Sequence, residues 1–373
     1  MPASRRLIAF ALLFVSVMVL GAFLGARSQA QAAHSPAHSS ALGSALQWLS
    51  ANQSSTGSYG SYFEHWTAAA AYALWLNNSQ SQKAALSYLL LAEQLNSSAS
   101  WFWGEYGEAD VPGAMLGSIA ASHNLARVNL TGVSYRLSQF QAPNGGFRGY
   151  YDSTAGEGVT SSVDTAMALW GLAQAGAMNF SAQQLAVGYL FSLQNPDGSF
   201  NLTETVASDP IYSHAPESVS LTALSVLALG AAFVETSDTR LERGLDFLGN
   251  SVSENFTGTD VGGHVYAASL TALALDAYGK KAEASRLIPF IISNQNTDGG
   301  FADSSRLSAQ SNALDTGWAS IALQLVQPEP LRSPALNPLV LTVFVASVAV
   351  PVVAILGAVV FFHRRKRRVL TPA

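Results

Sequence analysis

The chain of 373 residues contains no cysteine. That excludes a disulfide framework, a thiolate nucleophile and any metal site that needs sulfur. Charge is scarce, at 12% of residues, and basic charge is scarcest away from the ends. Between residues 33 and 338 there are 11 Lys and Arg against 24 Asp and Glu, a balance of −13 where the whole chain carries −5. A field of that sign repels nucleic acid and other polyanions and argues against a groove built for diphosphates. No P-loop, dinucleotide fingerprint, HExxH or GxSxG is present, so the common routes to phosphate, cofactor and zinc-hydrolase chemistry lack their motifs.

Apolar residues are plentiful, at 49%, and both ends inflate that figure. Arg5 and Arg6 precede an apolar run from Leu7 to Leu24, followed by Ala30-Gln31-Ala32, a small-x-small peptidase pattern. Residues 1–33 therefore read as an export signal, cleaved near Ala32 or Ala33, with an uncleaved N-terminal anchor as the alternative. Residues 34–40 read as a linker and 328–338 as a Pro-rich one. Leu339 to Phe362 is an uninterrupted apolar stretch, long enough to cross ~30 Å of hydrocarbon. HRRKRR follows at once, making 363–373 a basic cytoplasmic tail and placing the preceding residues outside the cell. The sequence thus predicts a single-pass protein of the cell membrane. Asn-x-Ser/Thr acceptors at Asn52, Asn77, Asn96, Asn129, Asn179, Asn201 and Asn255 fit a glycosylated surface protein. An exported domain without disulfides suits an archaeal or bacterial envelope better than an animal secretory pathway.

Between those ends the chain repeats itself. ISNQNTDGGF (292–301) echoes SLQNPDGSF (192–200), and six segments share one plan: an amphipathic helical run, a Gly-containing polar turn with an aromatic, then a helical run of small apolar residues. They cover 41–80, 81–125, 130–177, 180–233, 238–280 and 282–327. Asn and Gly accept the left-handed backbone that ends a helix, and the aromatic after them is expected to tuck back between repeats. The second helices, such as AAAAYALWL and TAMALWGLAQAG, are apolar on nearly every side and suit an inner layer. Alternating inner and outer helices six times predicts an open solenoid or a closed double ring.

QNxDGGF followed by D-T-x-x-A-x-x-x-L resembles the repeats of protein prenyltransferase β subunits and, more distantly, of squalene and oxidosqualene cyclases. The resemblance covers about 41–327. It implies an all-α fold, an (α/α)6 toroid of six helical hairpins with a cavity lined by inner helices, here with an N-terminal signal segment and a C-terminal transmembrane helix. Family chemistry does not come with it. Prenyltransferases hold zinc through Asp, Cys and His; here LDTGWASIAL places Asp315 at the His position, His264 lies out of register, and cysteine is absent. Neither Asp-x-Asp-Asp, Asp-Cys-Thr-Ala-Glu nor Asp-Asp-x-x-Asp occurs. No cofactor is expected, and His264 and Asp315 are only weak metal candidates.

Two sets of site candidates remain. His65, Asp110, Asp164, Glu217, His264 and Asp315 fall near the starts of inner helices, where they could form a polar ring that binds a metal or acts as acid and base. Alternatively Asp164 and Asp315 complement the N-terminal ends of their helices. Trp66, Trp170 and Trp318 on inner helices, with Trp75, are candidates for stacking on a sugar or apolar ligand, or for filling the core. The expected function is a membrane-anchored extracellular toroid binding a ligand, glycan or protein, without nucleic acid. The alternative is an enzyme acting on an isoprenoid lipid or glycan through cavity carboxylates.

Overall fold

A computed structural model of the chain describes residues 36–60, 63–104, 107–152, 157–204, 218–253, 264–303 and 310–326. The signal segment, the C-terminal linker, the apolar run 339–362, the basic tail, Glu217 and Asn255 lie outside these. No helix among the described residues is long and apolar enough to cross a membrane.

The described residues form α1 (Pro36–Asn52), α2 (Phe63–Asn77), α3 (Gln82–Asn96), α4 (Asp110–Ala121), α5 (Leu130–Ser138), α6 (Ser162–Gln174), α7 (Phe180–Ser192), α8 (Ser218–Ala231), α9 (Thr239–Ser253), α10 (Val265–Ala277), α11 (Lys281–Ser293) and α12 (Ala313–Leu325). Even-numbered helices pack side by side in the order α2, α4, α6, α8, α10, α12 and back to α2, so the inner layer is a closed ring. Odd-numbered helices return the chain along the outside. Because every inner helix follows an outer one, all six inner helices start at one end of the ring.

Small residues are what let the inner ring close. Gly113 of α4 lies against the backbone of Met167 and Ala168 on α6, and Gly171 of α6 faces the Gly113 carbonyl. A Cβ on Gly317 of α12 would meet the backbone of Ala69 on α2 at 2.8 Å, so this glycine sets the closing contact. Helices packed on all sides have no polar face to show, and α10 is buried continuously from Val265 to Leu275 apart from Tyr266.

The repeated turn has a structural role beyond stopping a helix. Gln141, Gln194 and Gln295 each donate a side-chain hydrogen bond to the carbonyl four residues on and another to the next outer helix, at Ala182, Arg240 and Ala41 respectively. The last of these joins the sixth repeat to α1. Gly57, Gly145, Gly198 and Gly299 adopt φ of +96°, +93°, +96° and +90° and press on the backbone of the next outer helix. Only glycine combines that φ with so close an approach. Two residues further, Tyr59, Phe147, Phe200 and Phe301 donate their backbone N–H to Thr67, Thr165, Thr222 and Thr316 at the inner-helix starts. Their rings are buried, each contributing about 1.5–3 kcal/mol. In the first repeat Gln53, four residues before Gly57 and six before Tyr59, reaches the next outer helix in the same way, donating to the Lys83 carbonyl and Ser87.

Two expectations need correction. The helical region begins at Pro36 and not at 41, so most of the expected 34–40 linker is the first turn of α1; His38 there is buried and its Nε2 meets the Leu323 carbonyl of α12 at 2.7 Å. The fold is also not purely helical. The third turn carries an antiparallel hairpin of β1 (Phe147–Asp152) and β2 (Glu157–Ser161), with a bulge between Arg148 and Tyr150. A helical period does not announce such a hairpin or its bulge.

Candidate functional site

Among the described residues, the ring candidates at the starts of the inner helices form two clusters. In the first, Ser161 caps α6 by accepting the Asp164 N–H at 3.0 Å, which leaves the Asp164 carboxylate to turn towards α4. Its Oδ1 accepts the N–H groups of Ala109 and Asp110 at 3.2 and 3.1 Å, and its Oδ2 accepts Ser161 Oγ at 2.6 Å. Asp164 therefore complements the start of the neighbouring helix, while Ser161 serves its own. Burial, and then the nearby Asp110 charge, push its carboxyl well above the usual carboxylate range, although the Ser161 and Asp110 hydrogen bonds oppose this. Gly149, at the strand bulge, covers it so closely that a Cβ would stand 1.7 Å from Oδ1. Asp110 in turn pairs through Oδ2 with His65 Nε2 at 3.0 Å, and its Oδ1 accepts the Val111 N–H.

The second cluster lies at α10 and α12. His264 Nδ1 meets Asp303 Oδ1 at 3.1 Å, and Asp303 Oδ2 accepts the Tyr266 N–H. Asp315, fully buried, accepts the Asp303 N–H at 2.8 Å and Asn312 Nδ2 at 2.5 Å, while Asn312 caps α12. Asp303 is the partner that sequence reading missed, because it lies in a turn outside the repeated pattern. Among the described residues no three His, Cys, Asp or Glu side chains converge to hold a metal ion. His264 and Asp315 are linked through Asp303 and not through a shared vacancy.

None of these groups lines the central cavity. That cavity, about 180 Å³, lies among the inner helices with Tyr72, Trp170, Leu227, Leu273, Asp276 and Trp318 on its wall. Trp170 of α6 and Trp318 of α12 meet across the ring with centroids 6.3 Å apart. Both were candidates from sequence, and both reach the cavity. Trp66 does not line it; its ring packs on Gly60, and Trp75 stands edge-on to His123 at 6.5 Å. Asp276, in the last turn of α10, was passed over by sequence reading. Its signal was available: it is the only charged residue in the C-terminal half of any inner helix. A separate, more open polar cleft of about 620 Å³ lies between α1 and the sixth turn, where Trp48 Nε1 donates to Asp298.

Among the acceptor asparagines, Asn52, Asn77, Asn96, Asn129 and Asn179 are exposed. Asn201 is half-buried, with its amide paired to that of Asn195 in both directions.

No match to the chain is found among curated proteins. A family model described as the A-macroglobulin TED domain matches residues 119–289. Among solved structures, a protein from Actinoplanes is similar at 16% identity and a TM-score of 0.57, over 77% of this chain and 98% of that one. The type II terpene cyclase MstE from Scytonema is similar at 15% identity and a TM-score of 0.53, over 78% and 98%. The ent-copalyl diphosphate synthase from Streptomyces platensis is similar at 13% identity and a TM-score of 0.51, over 71% of this chain and 50% of that one. At such identities the likeness is one of architecture, and the chain has a terpene cyclase-like α/α fold.

Proposed function

We propose that this chain is a membrane-anchored extracellular toroid that binds a small apolar ligand in its central cavity. The observation that carries the reading is the cavity wall: aromatic and aliphatic side chains of five inner helices, closed off from the carboxylates at the helix starts. Size limits the ligand. A dry cavity of about 150 Å³ takes a benzene-sized guest, so about 180 Å³ admits one ring or a short chain, and anything longer must protrude. The apolar stretch 339–362, its basic flank and five exposed sequons support the anchored, external and glycosylated part of the reading; the paired amide of Asn201 counts against modification there.

The alternative, an enzyme working on an isoprenoid lipid or glycan through carboxylates, draws on the raised pKa of Asp164. That carboxyl is sealed beneath Gly149 and absent from the cavity wall, which favours binding.

The test is a ¹⁹F NMR titration of the full chain with 4-fluorobenzyl alcohol. Saturable binding that disappears in Leu227→Trp, which fills the cavity, is expected. Unsaturable binding, or binding indifferent to Leu227→Trp, overturns the proposal. On intact cells, external protease should remove the residues before 339 and leave the basic tail protected; a protected toroid would refute the external location.

A further inference from the structure

The cavity wall carries one charge. Asp276 is half-buried, and its carboxylate has no hydrogen-bond or ion-pair partner among the described residues. Lys280, one turn beyond it, is engaged elsewhere, with Nζ 3.1 Å from Asp246 Oδ1. Asp276 also sits in the last turn of α10, at the negative end of the helix dipole. A carboxylate in that place is opposed by the helix, is partly stripped of water by an apolar wall, and has no compensating partner among the described residues. The same wall carries the rings of Trp170, Trp318 and Tyr72, side chains of the kind whose faces attract organic cations.

From this juxtaposition we infer that the cavity selects an organic cation: an ammonium group attached to an apolar body of about one ring, with Asp276 as counter-ion and the tryptophan pair as the apolar wall. The inference rests on the cavity-binding reading above and adds the charge of the ligand to it. The acidic balance of residues 33–338 acts in the same direction at long range, by concentrating cations near the domain.

The experiment compares 4-fluorobenzylamine, protonated at pH 7, with 4-fluorobenzyl alcohol on the full chain at fixed salt, by ¹⁹F NMR. Wild type should bind the amine roughly ten- to hundredfold more tightly than the alcohol, the range for a hydrogen bond to a charged group. Asp276→Asn, nearly isosteric and on a half-buried side chain, should bind the alcohol as wild type does, which reports an intact cavity, and should lose the preference for the amine. Equal binding of the two probes by wild type, or a preference that survives in Asp276→Asn, overturns the cation assignment and leaves the cavity reading standing. Failure of wild type to bind either probe overturns both.

Discussion

Replacing Asp164 separates two roles that its carboxyl combines, hydrogen-bond acceptor and buried acid. In Asp164→Ala the Ala109 N–H keeps the Arg148 carbonyl, 3.1 Å away. The Asp110 N–H loses the acceptor at 3.1 Å, and Ser161 Oγ loses the one at 2.6 Å. One orphaned buried donor costs about 1–3 kcal/mol and one lost hydrogen bond about 1 kcal/mol, so the loss should be roughly 2–4 kcal/mol. Asp164→Asn keeps all three contacts, with Oδ1 accepting from α4 and Nδ2 donating to Ser161, and should cost under about 1 kcal/mol at pH 4. Wild type and Asp164→Asn then differ with pH, because only the carboxyl titrates. Because the folded-state pKa is raised, the native state holds its proton more tightly than the unfolded chain. The stability from that proton is fully present below the unfolded value and is lost as pH rises through the folded one. Asp164→Asn therefore gains on wild type between pH 4 and pH 8. Urea unfolding followed by circular dichroism at both pH values reads this directly. An Asn variant as damaged as the Ala variant, or a difference from wild type that does not grow with pH, would refute the reasoning.

Further outcomes follow from the turns and the cavity wall. Gly198→Ala places a Cβ 2.2 Å from the Arg243 carbonyl at φ +96° and should destabilise by more than about 1 kcal/mol. Gly188→Ala, at an exposed position of α7 with nothing within 4 Å of the new methyl, should stabilise by about 0.5–1 kcal/mol; thermal melts of the pair test the backbone account. Gln295→Ala removes the bond to Ala41 at 2.8 Å that closes the ring and should cost about 1–2 kcal/mol, with faster hydrogen exchange in α1 as its local mark. Ligand-free Asp276→Asn should melt higher than wild type, by about 0.3–1 kcal/mol, because it removes a carboxylate from a helix C-terminus; a lower melting temperature would mean that Asp276 already has compensation.

The repeats made the architecture legible because each inner helix is apolar throughout and each turn repeats its glycine and aromatic. What lay beyond reach was the wiring within the turns. Gln141, Gln194 and Gln295 stand at a fixed spacing from their aromatics, yet nothing in the sequence says that they reach the next outer helix. Asp164 and Asp315 looked alike in their Asp-Thr setting, but one serves the start of a neighbouring helix and the other a turn of its own repeat. The cavity wall could be read only in part. Trp170 and Trp318 are large and rare enough to be singled out, whereas a lone Asp276 near the end of an apolar helix was not.

The most direct test of where this protein works is to titrate 4-fluorobenzylamine into wild type, Leu227→Trp and Asp164→Asn under identical conditions. Loss of binding in Leu227→Trp with wild-type affinity in Asp164→Asn is the predicted result. Retained binding in Leu227→Trp together with loss in Asp164→Asn would contradict it and move the site to the starts of the inner helices.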